Sequence, residues 1–265
     1  MFHTVAYSAT SGAAAFTDQD MTLVSDPSVT NLNNHPIFPV PTWVQWAGVQ
    51  GTTVTRARIS APRLRPITRP LIHPVDNGAA NFVNLTNAMN WWRHPIQLNP
   101  VEEIQILVTK TSVVAETDVA VMTVGDNNRN GPQGDMYVLR NTSTNGVVAL
   151  AWQPAANTPD DTLQVGRYSI IGLHVVNASA VAARLIFPGA PVTGGLPQIR
   201  PGVPASINDL GLPSWDWFRY GINGEFGQFE SFALPQTEVL GNVAPNASTQ
   251  SFFDIVDVRV GARAQ

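Results

Sequence analysis

The residues able to do acid–base, metal or nucleophilic chemistry are spread thinly along this chain. Its five histidines, His3, His35, His73, His94 and His174, show no H-x-x-H or H-E-x-x-H spacing, so the linear order offers no zinc site. His174 reads as a polar residue on a strand face. The absence of cysteine excludes disulfides, thiolate metal sites and cysteine nucleophiles. Glu102 and Glu103 are neighbours, and on a strand they would point to opposite faces, so they cannot form a paired-carboxylate acid–base site. Asp160 and Asp161, in NTPDDTL, read as part of a turn. No G-x-S-x-G, P-loop or dinucleotide fingerprint occurs. The expectation is a protein that is not an enzyme and holds no cofactor.

Two stretches come nearer to a binding site. DNNRNG, Asp126 to Gly131, matches the first half of a calcium loop. Asp126, Asn128 and Asn130 are its candidate ligands, with Asp135 as a further oxygen donor. The twelfth position is Tyr137 instead of glutamate and the flanks look like strands, so a polar linker is the stronger reading. TRARISAPRLRPITRP gathers Arg56, Arg58, Arg63, Arg65 and Arg69. That patch could touch a genome or lipid headgroups. No aromatic residues are interleaved for base stacking, which favours contacts to carboxylates or carbonyls. Four N-x-S/T sequons begin at Asn84, Asn141, Asn177 and Asn246, and they read as turn chemistry.

The most informative feature is a phrase written twice. NWWRHPI and DWFRYGI place Trp91, Trp92 and Arg93 at a spacing of 126 residues from Trp217, Phe218 and Arg219. Arg58 and Arg184 share that offset, as do Pro62 and Pro188. Upstream, WVQWAGV lies over RYSIIGL with Gly48 on Gly172, and MTLVSDP over ALAWQP. Downstream, DVAVMTVG lies over DIVDVRVG with Val124 on Val260. A shared order of this kind points to an internal duplication. The two aromatic–arginine phrases then become structural anchors of equivalent loops, burying rings and stacking or pairing a guanidinium.

Stepping between these landmarks are short segments with period-two alternation, such as FFDIVDVRV, punctuated by 21 prolines and 20 glycines. This predicts an all-β chain of roughly a dozen strands. Two Pro-, Asn- and Trp-rich segments, 61–100 and 188–224, read as long packed loops. The repeat divides the chain into residues 1–125 and 126–265. Charged residues are only 13% of the chain, the net charge is −4, and 14 arginines stand against the single lysine, Lys110. That composition attracts no nucleic acid globally and suits a subunit whose surface is largely covered by copies of itself. The amino-terminal stretch shows no signal peptide pattern, and no apolar run approaches the ~20 residues of a membrane helix.

In length, duplication and paired long loops, the whole chain resembles the double jelly-roll major capsid proteins of tailless icosahedral viruses and phages. The resemblance implies two tandem jelly-roll sandwiches, with one elaborated jelly roll as the alternative. It also implies a subunit that self-assembles as a pseudo-hexagonal trimer and tiles a shell. Its partners would be other copies of itself and virion proteins such as those at vertices, and the arginine patch Arg56, Arg58, Arg63, Arg65 and Arg69 could contact an internal membrane or genome. Its place would be the virion, after synthesis in the host cytoplasm. The competing reading is a carbohydrate-binding or adhesion sandwich using Trp91, Trp92, Trp215 and Trp217 as a sugar platform.

Overall fold

The computed structural model describes residues 2–10, 17–64, 71–72, 89–90, 96–111, 116–125, 136–146, 148–188, 200–205, 215–216, 225–241 and 248–258. Every element in them is a strand. The first series is β1 (Phe2–Thr10), β2 (Asp18–Asp20), β3 (Thr22–Leu23), β4 (Thr30–Leu32), β5 (His35–Ile37), β6 (Thr42–Gln50), β7 (Val54–Ser60), β8 (Leu71–Ile72), β9 (Met89–Asn90), β10 (Ile96–Leu98), β11 (Gln105–Lys110) and β12 (Thr117–Gly125). The second is β13 (Met136–Thr144), β14 (Gln153–Ala155), β15 (Thr158–Pro159), β16 (Arg167–Val176), β17 (Ala182–Ile186), β18 (Gly202–Pro204), β19 (Trp215–Asp216), β20 (Gly227–Glu230), β21 (Gln236–Leu240) and β22 (Ser248–Asp257).

The two series hydrogen-bond in the same pattern. In the first, a large sheet runs β10-β6-β12-β1-β3 with β9 also on β6, and a small sheet runs β2-β11-β7-β8. In the second, the large sheet runs β20-β16-β22-β13-β15 with β19 also on β16, and the small sheet runs β14-β21-β17-β18. Among the described residues, only the β4–β5 hairpin has no counterpart. Even an irregularity is repeated. The register of β12 on β6 skips Gln45, and that of β22 on β16 skips Ile171. These two positions are 126 residues apart.

That register fixes the repeat more closely than sequence matching does. Arg58 and Arg184 sit opposite Leu107 and Glu238 on equivalent strands, as the 126-residue offset requires. Asn90 and Asp216, which open the doubled phrase, pair with Trp46 and Gly172. Three expected alignments shift. Trp46, not Gly48, is the counterpart of Gly172, because both follow the skipped residue. Val124 corresponds to Ile255 instead of Val260, because both lie just past the same skip. MTLVSDP corresponds to the region of β15 and not to ALAWQP, of which only Gln153 and Pro154 lie in a strand, β14. Valine-rich strands match one another at several offsets, and only hydrogen-bond register chooses among them.

Alternation assigns each strand face to a core. On β1, Val5, Tyr7 and Ala9 point into a cluster with Val44, Ala47, Ile59, Ile106 and Met122, between the large and small sheets of the first series. Phe2 and Ala6 point the other way. Together with Trp46, Val119 and Val121, they join the cluster that holds Leu173, Ala183, Leu185 and Phe253. The outer face of the first large sheet is therefore buried against the second series.

Candidate functional site

The contact between the two series is built around one arginine. Arg184 lies on the outer face of the second small sheet, since its neighbours Ala183 and Leu185 belong to the core cluster. It is 0% exposed. Its Nε donates to Glu238 Oε2 at 2.6 Å, across the β17–β21 rung. Its Nη1 donates to Asp26 Oδ2 at 2.5 Å and to the Thr4 carbonyl at 3.0 Å, both in the first series. Its Cζ lies 3.9 Å from the centroid of the Trp152 ring. A planar, forked, weakly hydrated cation can satisfy carboxylates on two sides while stacking on an aromatic face; an ammonium cannot.

The surrounding groups complete the network. Arg200 Nη1 donates to both Glu238 oxygens, at 2.8 and 2.9 Å. Ser28 donates to Asp26 Oδ1 from its amide at 2.9 Å and from its hydroxyl at 2.5 Å. His3 Nε2 lies 3.6 Å from Asp26 Oδ2, and His3 Nδ1 accepts from the Arg200 amide at 3.3 Å. Burial pushes the Asp26 carboxyl up, but hydrogen bonds from His3, Arg184 and Ser28 outweigh it and hold the group well below the usual carboxylate range. Burial lowers the His3 pKa, and the Asp26 hydrogen bond opposes that shift only in part. The backbone joins in as well. The Thr4 amide donates to the Arg200 carbonyl at 2.8 Å, and Thr4 Oγ1 and Thr123 Oγ1 share a 2.8 Å hydrogen bond. Gly202 lets β18 lie close to β17, because a Cβ there would come within 2.2 Å of the Ala183 carbonyl oxygen.

This cluster fastens the two series to each other. Among the described residues, no group of three or more His, Asp or Glu could hold a metal ion. The sequence candidates are scattered. Arg56 and Arg58 both pair with Asp18, and Arg63 Nη1 donates to the Gln97 carbonyl at 2.6 Å. Glu102 and Glu103 precede β11 and serve different partners. Glu102 accepts from the amides of Arg63 and Asn99, and Glu103 from Asn33 Nδ2. His35 lies 2.9 Å from Asp20, and His174 packs its ring on Phe252 at 5.7 Å. Asp160 pairs with Arg140. Asn177 caps its own turn, accepting from the amides of Ser179 and Ala180, and Asn141 is buried.

Trp91, Trp92, Arg93, Trp217, Phe218 and Arg219 lie outside the described residues, as do Arg65, Arg69, His73, His94, Asp126, Asn128, Asn130 and Asp135. Sequence reasoning missed Asp26, Glu238, Arg200 and Trp152. Arg184 was legible as half of a repeated pair, but nothing in its neighbourhood announced which sheet would cover it.

Comparison with known proteins adds little to this geometry. No family model matches the chain, and no curated protein matches it. Among solved structures, a match is the major capsid protein P2 from bacteriophage PM2, at 10% identity over 97% of this chain and 98% of that one, with a TM-score of 0.21. A TM-score that low carries no argument about fold or function.

Proposed function

We propose that this chain is a structural subunit of a viral capsid, built as two tandem jelly rolls, residues 1–125 and 126–265, and assembling as a pseudo-hexagonal trimer. Strand order supports the jelly rolls. In chain order β1, β2, β6, β7, β8, β10, β11 and β12 distribute between the two sheets as the eight strands of a double Greek key do, and the second series repeats them.

The observation that carries the assembly is the direction of the internal contact. The outer face of the first large sheet is covered by the outer face of the second small sheet. Among the described residues, the complementary pair of faces has no such cover. One is the outer face of the first small sheet, with Arg56, Arg58 and Leu107. The other is the outer face of the second large sheet, with Val138, Arg140, His174 and Phe252. On the latter, Val138 is 58% exposed where its counterpart Thr4 is fully buried. A contact that joins unlike faces repeats head to tail and closes into a ring if the rotation allows. Three copies then present six similar walls.

The measurement is the mass of the purified chain in solution by light scattering, followed by imaging of the particles. A trimer or a larger closed assembly is expected. A stable monomer that binds glycans would overturn the reading in favour of an adhesion module.

A further inference from the structure

The chain's single lysine is buried in the first sandwich, beside two carboxylates. Lys110, at the end of β11, is 1% exposed. Its Nζ lies 2.6 Å from Asp118 Oδ2 and 3.0 Å from Glu116 Oε1. Asp118, on β12, is 0% exposed. Its other oxygen, Oδ1, has no hydrogen-bond partner among the described residues. That oxygen is wedged against Gly51, where a Cβ would come within 2.3 Å of it. Glu116 is held rigidly, accepting from the Thr52 and Thr53 amides at 3.1 and 2.9 Å and from the Thr53 hydroxyl.

A plain buried ion pair explains this arrangement poorly. Everywhere else the chain supplies positive charge with arginine, 14 times. The guanidinium keeps its proton, whereas a desolvated lysine can give its proton up and become a nucleophile. An ionised Asp118 would also leave a charged oxygen buried without a donor, which is costly. The fold itself does not demand charge at this corner. By register Thr249 answers to Asp118 and Gly241 to Lys110 in the second series, and Thr249 Oγ1 accepts from Asn177 Nδ2 at 2.9 Å, a neutral pair.

We propose that Lys110 and Asp118 join in an intramolecular isopeptide bond, with Glu116 as the proton carrier. Lys110 Nζ passes a proton to the Glu116 carboxylate and attacks Asp118 Cγ, whose carboxyl is in its neutral acid form. Glu116 returns the proton to the departing oxygen. A C–N bond forms, a C–O bond breaks and one water leaves, with no change in oxidation state. Ion pair and neutral pair hold the same number of protons, so no outside reagent is needed. Burial raises the Asp118 carboxyl to about 6, despite the nearby Lys110. Burial also pushes Glu116 up, but the Thr53 hydrogen bonds and Lys110 outweigh it and hold it at about 2, as the charged acceptor. In the product, Oδ1 becomes an uncharged carbonyl oxygen, which tolerates its lack of a partner better. The bond ties β11 of the small sheet to β12 of the large one, a covalent link across the sandwich.

The test is the intact mass of the full-length chain, with peptide mapping. The wild type is expected about 18 Da below its sequence mass, the loss of one water, with residues 110 and 118 recovered in one cross-linked peptide. Lys110→Arg keeps the charge and should appear at its full sequence mass. Glu116→Gln should slow bond formation by about 10²-fold. Asp118→Asn should lose ammonia, about 17 Da, in place of water. A folded wild-type chain at full sequence mass, or an unchanged water loss in Lys110→Arg or Asp118→Asn, overturns the proposal.

Discussion

Arg184 and Asp26 are 158 positions apart in the chain and 2.5 Å apart in the structure. Both side chains are fully buried. The pair fastens the second sandwich to the first, and Glu238 holds the arginine from behind. Arg58, the counterpart of Arg184, is 20% exposed and finds its carboxylate, Asp18, beside it on its own small sheet. Arginines at one repeated strand position thus serve a joint between the two series in one case and, among the described residues, a pair within one sheet in the other. Replacing Arg184 by alanine should cost about 3–5 kcal/mol, because the buried Asp26 loses its guanidinium partner and Glu238 keeps only Arg200. Urea unfolding followed by tryptophan fluorescence measures it, and Arg58→Ala serves as the comparison with a cost of about 0–1 kcal/mol.

Acid should loosen the same joint. The His3 pKa is depressed in the folded state, so below its unfolded value of 6.5 the unfolded chain takes up a proton that the folded chain resists. The Asp26 pKa is depressed too. Its contribution is present above the unfolded value of 3.8 and is lost as pH falls towards the folded one. Both effects have one sign, so these groups lower stability as pH drops from 7. A series of urea midpoints against pH should show a slope just below 6.5 that His3→Gln flattens.

Gly202 should not tolerate a side chain. A methyl group there would meet the Ala183 carbonyl oxygen and Arg184 Cβ, forcing β18 away from β17. Gly202→Ala is expected to cost about 1–3 kcal/mol, read as a lowered thermal midpoint.

The uncovered faces give an assembly prediction. Val138→Arg sets a charge on the exposed face of β13, outside both cores. Thermal stability of the single subunit should change little, by about 0.5 kcal/mol or less. Light scattering should show a shift from trimer to monomer. An unchanged trimer would exclude this face from the contact.

The doubled aromatic–arginine phrase carries its own prediction. If Trp91 and Trp217 anchor their loops by burying their rings, each change to alanine should cost about 3–5 kcal/mol. Quenching of tryptophan fluorescence checks the premise, since buried rings resist an aqueous quencher.

Strand content and the repeated order of strands were legible in the sequence, because period-two alternation and a shared 126-residue offset survive without long-range information. Arg58 and Arg184 were recognisable as partners for that reason. What the sequence could not decide was which face of which sheet would be covered. Phe2, Ala6, Trp46, Val119 and Val121 look like any apolar strand positions, and only sheet stacking sends them into the second core. Likewise Lys110, Glu116 and Asp118 are ordinary residues around a strand connection until two sheets close over them. The reason is physical. Alternation is a local property of one strand, whereas burial of a charge depends on what other segments place above it, and that belongs to tertiary structure alone.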